Sequence, residues 1–142
     1  MAKSLMNFPG IILTGQKDLR TYSPLTLAYL GDAVYELVVR TALVEKGNCP
    51  VNRLNKMASD LVKASAQSQM AARIESELTE EEAAVYRRGR NAHSPTMAKH
   101  ASMGDYRRAT GVEALVGYLY LKGDMARVLE LMEKGLKGED DG

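Results

Sequence analysis

One cysteine, Cys49, and four prolines are all that the 142 residues of this chain contain of those types. A lone thiol cannot build a disulfide framework, and it suits a reducing compartment. No stretch approaches the roughly 20 apolar residues that a bilayer-spanning helix requires. The strongly apolar, charge-free run Ala114–Leu121 is far too short. The N-terminus, MAKSLMNFPGIILTGQKDLR, has no signal-peptide core, because its apolar run Ile11-Ile12-Leu13 is only three residues. Net charge is also nearly absent, at +1. These absences leave the expectation of a soluble, cytoplasmic protein without membrane contact.

The chain has the length of one ordinary domain and can bury roughly two-thirds of its unfolded surface without staples. Apolar residues make up 45% and charged residues 26%, a globular balance. No internal repeat and no dividing linker is visible. The small net charge conceals an uneven distribution. Arg87, Arg88, Arg90, Lys99, Arg107 and Arg108 stand against a single acid, Asp105, so this segment carries +5 and the remainder −4. A basic segment on a slightly acidic protein suits a polyanion contact. A solvated arginine-rich loop explains the charge equally well.

Helical signals dominate, and the fold class expected is all-α. Ser23-Pro24 supplies an N-cap and a first-turn proline for a helix from Leu25 to Lys46, closed by Gly47 and Pro50. That helix is apolar almost all round, as in a bundle interior or an oligomer interface. Asn52 is expected to cap a second helix running to about Glu75. Thr79-Glu80-Glu81-Glu82 reads as a capping box for a short helix ending near Gly89. Arg90 to Thr96 reads as a loop. A long helix from near Asp105 to Leu121 follows, and a last amphipathic one from Met125 to Leu136. Residues 1–22 form an N-terminal segment expected to be partly flexible, 23–137 the domain, and 138–142 a disordered acidic tail.

Two acids are out of keeping with their helices. Asp32 lies midway along the first helix, preceded by Gly31, with Glu36 and Arg40 at four-residue steps on the same face. A Glu36–Arg40 pair explains those two residues. A helical glycine costs roughly 1 kcal/mol relative to alanine, so Gly31 points to a close backbone approach. Glu113 is the only charged residue between Ala109 and Leu121, flanked by Gly111 and Gly117. A lone carboxylate among apolar residues is costly unless paired, protonated or metal-bound. An exposed helix stripe is the plainer explanation of either acid. Together they make a shared Mg²⁺ site credible, since Mg²⁺ needs only one or two carboxylates besides water and phosphate. With a basic segment nearby, the chemistry suggested is metal-assisted phosphodiester hydrolysis. His93 and His100 lack partners for a zinc set, and Cys49 reads as an inert thiol.

The run Leu27-Ala28-Tyr29-Leu30-Gly31-Asp32-Ala33-Val34-Tyr35-Glu36-Leu37 resembles the signature helix of the ribonuclease III family. Gly111-Val112-Glu113-Ala114-Leu115-Val116-Gly117-Tyr118-Leu119-Tyr120-Leu121 is similar to that family's second acidic helix, in the right order and separation. Arg88-Gly89-Arg90-Asn91-Ala92 and Tyr106-Arg107 resemble its short bacterial branch, which lacks the appended double-stranded-RNA-binding domain. The likeness spans roughly Ser23 to Leu136. Family acids usually found seven and four residues before Asp32, and three before Glu113, are replaced here by Leu25, Ala28 and Thr110. The short branch is reduced in the same way.

The resemblance implies a helical-bundle endonuclease that works as a homodimer, with Tyr29 in the contact between signature helices. It implies cleavage of double-stranded RNA, read by A-form shape, with Asp32 and Glu113 catalytic and holding Mg²⁺, for which Mn²⁺ is a substitute. The products are 5′-phosphate and 3′-hydroxyl ends. The substrate implied is precursor ribosomal RNA of the large subunit (23S), with a ribosomal-protein helper as a further partner. RNA contacts are expected from Arg88, Arg90, Asn91, Ser94, Lys99, Arg107 and Arg108; for Arg107 and Arg108, salt bridging at the helix start is the alternative. The rival reading, kept open by the missing acids, is a non-catalytic double-stranded-RNA-binding helical module.

Overall fold

A computed structural model describes residues 18–92 and 102–136, and among them there is no strand. The acidic tail 138–142, most of the N-terminal segment, and the expected RNA contacts Ser94 and Lys99 lie outside the described residues. Six α-helices follow a short 3₁₀ turn at Leu19–Thr21: α1 (Pro24–Glu45), α2 (Val51–Val62), α3 (Ala64–Ile74), α4 (Glu80–Arg90), α5 (Met103–Lys122) and α6 (Met125–Leu136).

Local chemistry sets most of the boundaries. Ser23 Oγ accepts the Thr26 N–H at 3.1 Å, and Pro24 opens α1. Thr79 and Glu82 form a reciprocal capping box on α4. Ser102 Oγ accepts the Asp105 N–H at 3.0 Å, so α5 starts two residues earlier than the sequence suggested. It ends at Gly123, whose φ of 87° lets the Asp124 N–H reach Leu119 O.

The single helix expected from Asn52 to Glu75 is instead two. α2 begins at Val51 after Pro50, with Asn52 inside it, and Lys63 leaves helical geometry at ψ 160°. Composition alone favours one helix; at the break the carbonyls of Leu61 and Val62 are taken by side chains, described below.

α5 is the central helix, and α1, α3, α4 and α6 all pack on it. From Ala109 to Leu119 every residue but Glu113 is buried. The α1–α5 crossing is a backbone contact. A Cβ added to Gly31 would lie 1.7 Å from the Glu113 carbonyl oxygen, and one on Gly117 would lie 2.0 Å from Leu27 O. Gly31 therefore answers the close approach that its sequence position demanded, and the approaching backbone is α5. On the other side of α5, Gly89 and Gly111 also bring α4 close, less tightly than the α1 crossing.

Candidate active site

Glu113 packs its own carbonyl on Gly31, and Asp32 is the next residue of α1, so the glycine crossing delivers both acids to one place. The two carboxyl groups are near enough for the Asp32 charge to act on Glu113. The two differ in surroundings: Asp32 is exposed, whereas Glu113 is largely covered. The reading of both acids as embedded in apolar helices thus holds for Glu113 and not for Asp32, because α1 turns part of its apolar surface outward. Burial pushes the Glu113 carboxyl up to about 7; a hydrogen bond from Gln67 opposes the rise, and the Asp32 carboxyl adds to it.

Gln67, on α3, donates from Nε2 to Glu113 Oε2 at 3.1 Å and to Val62 O at 2.8 Å. Tyr35, one turn of α1 beyond Gly31, donates its hydroxyl to Leu61 O at 3.3 Å and lies 3.4 Å from Met70 Sδ. Burial, and then the nearby Glu113 charge, raise its hydroxyl well above the ordinary tyrosine range. These contacts to Leu61 and Val62 hold the α2–α3 break beside the acids.

Neither acid has a cationic partner among the described residues. Glu36 is committed to Arg40, whose Nε donates to Glu36 Oε2 at 2.9 Å. No group of three or more His, Cys, Asp or Glu side chains converges among the described residues. The pair is therefore two hard oxygen donors with an unneutralised charge, a set that fits a divalent cation such as Mg²⁺, which completes its shell with water. Where the family pattern has further acids, Ala28 is buried, Leu25 is half-buried, and Thr110 spends its hydroxyl on Tyr106 O at 3.0 Å.

The basic residues divide by their contacts. Arg108 is tied into the fold, with Nε to Ser68 Oγ at 2.6 Å and Nη2 to Asp105 at 3.2 Å. The salt-bridging alternative therefore describes it. Arg107 is exposed, and Asn91 caps the end of α4 with its side chain exposed. Arg90, expected in a loop, is the last residue of α4 and stacks over Tyr86 at 5.7 Å. Arg88 donates to Tyr22 O at 3.3 Å and lines a 710 Å³ groove with Leu19, Val85 and Tyr118. That groove includes neither Asp32 nor Glu113.

Residues 25–124 match the model of the ribonuclease III domain. The chain belongs to the ribonuclease III family. Among curated ribonuclease III relatives, Mini-ribonuclease 3 of Thermoanaerobacter sp. is 46% identical over 134 residues, 94% of each chain. Mini-ribonuclease 3 of Clostridium tetani is 48% identical over 119 residues, 83% of this chain and 79% of that one. An X-ray structure of a Fusobacterium nucleatum protein superposes with a TM-score of 0.78 at 33% identity, covering 87% of this chain and 95% of its own. As a member of the Mini-ribonuclease III branch, the chain is an endoribonuclease. Ribonuclease III enzymes use divalent metal ions, in keeping with the donor set at Asp32 and Glu113. No helix of the described residues is long and apolar enough to cross a membrane.

Sequence reasoning missed Gln67. A glutamine in a helix rich in alanine and other polar residues carries no signal of its own. Only its burial against Glu113 marks it.

Proposed function

We propose that this ribonuclease III member cleaves double-stranded RNA as an Mg²⁺-dependent homodimer, with residues 23–137 as its catalytic domain and Asp32 and Glu113 as its catalytic pair. The observation that carries this reading is the convergence of those two unneutralised carboxylates at the α1–α5 crossing. Asp32 and Glu113 hold Mg²⁺, or Mn²⁺ in its stead. When bound, the ion supplies an activated water and neutralises charge at the scissile phosphate. Glu113 loses its proton to serve as a ligand. Asp32, on the open side, meets the approaching RNA. Cleavage leaves 5′-phosphate and 3′-hydroxyl ends.

The homodimer reading rests on the outward face of α1. Tyr29 is 83% exposed, Leu37 is 53% exposed, and Ala33 between them is exposed too. Spacing of four residues lines them up as an apolar stripe without a covering helix. Pairing of two such stripes brings two acid sites to one RNA-binding valley. Arg88, Arg90, Asn91, Ser94, Lys99 and Arg107 contact phosphates there, and Arg108 supports them through Ser68 and Asp105. Membership of the Mini-ribonuclease III branch favours precursor 23S ribosomal RNA as the natural substrate, cut in the cytoplasm with a ribosomal-protein helper.

Incubation with structured double-stranded RNA, with and without Mg²⁺, tests the reading beside Asp32→Asn and Glu113→Gln. Wild type is expected to cut only with the metal, and both variants to bind without cutting. RNA that is bound but never cut by wild type identifies a binding module instead. Sedimentation of Tyr29→Asp against wild type tests the dimer, with a monomeric variant expected.

A further inference from the structure

Gln67 lies in the first turn of α3, just past the break at Lys63, and is 2% exposed. Its Nε2 makes two contacts, to Val62 O at 2.8 Å and to Glu113 Oε2 at 3.1 Å, which use both amide protons. Turning the amide over would set its carbonyl oxygen against two acceptors, so the partners fix the orientation. Oε1 is buried and has no hydrogen-bond partner. A long amide held this way gives up rotamer freedom and leaves an acceptor unsatisfied, both of which cost stability. Satisfying Val62 O does not call for so long a side chain at that cost. The reach of the glutamine is used at Glu113, where it joins the end of α2, the start of α3 and the middle of α5.

We propose that Gln67 is a positioning residue: by pinning Glu113 Oε2 it aims the other carboxylate oxygen at Asp32, and so sets how tightly the pair holds a divalent cation. This rests on the reading of Asp32 and Glu113 as the metal-holding pair. A glutamate on a helix has three side-chain torsions, and a fixed donor on one oxygen removes most of their freedom before the cation arrives. Partners of this kind orient ligands in metal sites generally, and their loss weakens metal affinity by roughly 10- to 100-fold.

Mn²⁺ binding followed by electron paramagnetic resonance tests the inference on the full chain without RNA. Asp32→Asn and Glu113→Gln first test the pair: both are expected to lose binding, and wild-type affinity in both sinks the pair itself, whatever Gln67 does. Gln67→Met keeps the length and bulk of the side chain but donates nothing. Its Mn²⁺ dissociation constant is expected to rise about 10- to 100-fold, with a thermal transition still present and cleavage recovered at high Mg²⁺. A folded Gln67→Met that binds Mn²⁺ as wild type does overturns the proposal. Should that variant fail to fold, the side-chain NH₂ signals of Gln67 in wild-type ¹H–¹⁵N spectra decide: they are expected to shift as Mg²⁺ is added, and indifference to the metal overturns the proposal equally.

Discussion

Where α4 meets α6, Glu82 is buried, and its two carboxylate oxygens each accept a 2.8 Å hydrogen bond from Arg127, one from Nε and one from Nη2. At the α1–α5 crossing, Glu113 is covered with no cation beside it, only the amide of Gln67 and a second acid. The Arg127 guanidinium holds the Glu82 carboxyl below the usual carboxylate range, while burial lifts that of Glu113 above it. The same residue type is matched by a cation in one corner and left without one in the other. The Glu82 carboxylate is matched by the chain's own cation; the proposed Mg²⁺ would complete the other. That contrast ties the electrostatics of the bundle to its proposed chemistry.

The largest expected effect breaks the crossing itself. A methyl at Gly31 would strike backbone, which cannot yield as a flexible side chain does. Gly31→Ala is therefore expected to cost at least about 3 kcal/mol in urea unfolding and to part Asp32 from Glu113. A near-native midpoint would mean that the two helices do not depend on this contact.

Arg127→Met turns Glu82 into an unmatched acid like Glu113, at an expected loss of about 3 kcal/mol. It also changes the pH profile. In wild type the Glu82 contribution is present above the ordinary carboxylate value and is lost as pH falls through its lowered one. That acid-side loss should vanish from the urea midpoints of the variant.

Glu113→Gln works in the opposite sense. The folded state holds the Glu113 proton up to about pH 7, so metal-free wild type loses stability as pH climbs from the ordinary value of 4.5 towards 7. The variant should lack that decline and be more stable at pH 8 by about 2 kcal/mol, though inactive. A destabilised Glu113→Gln would show that the carboxylate is structural after all.

The smallest effects separate two neighbouring arginines. Arg108→Ala removes bonds to Ser68 and Asp105 and is expected to cost about 1 kcal/mol. Arg107→Ala should leave the unfolding midpoint within about 0.5 kcal/mol while lowering the salt slope of RNA binding by about 1. Equal salt slopes for Arg107→Ala and wild type remove Arg107 from the contact surface.

Much of this architecture is legible because it is local. Ser23-Pro24 and the Thr79–Glu82 capping box announce helix starts with short-range hydrogen bonds that need no partner element. The cost of Gly31 in a helix is likewise readable, and it signals a close neighbour. The break at Lys63 is not legible, since nothing in Lys63 or its neighbours forbids a helix; Tyr35 takes up the Leu61 carbonyl from α1, and Gln67 reaches back across the break to that of Val62. Glu82 shows both cases at once. Its cap on Thr79 is written three residues away, but its pairing with Arg127 spans 45 positions.

Composition, capping residues and the two spaced motifs determined by themselves an all-α domain and the two acids proposed as its catalytic pair. A near-neutral total charge hid the basic segment, and position in the chain was enough to expose it. Only the tertiary structure decided that Gly31 meets the backbone of Glu113, that Asp32 faces outward while Glu113 is covered, that Arg108 is committed and Arg107 is not, and that Gln67 stands behind the site. Helix propensity and capping act within a few residues, so a sequence declares them. Burial, and the electrostatics that follow from it, depend on which distant helices touch, and that is settled only when the whole bundle packs.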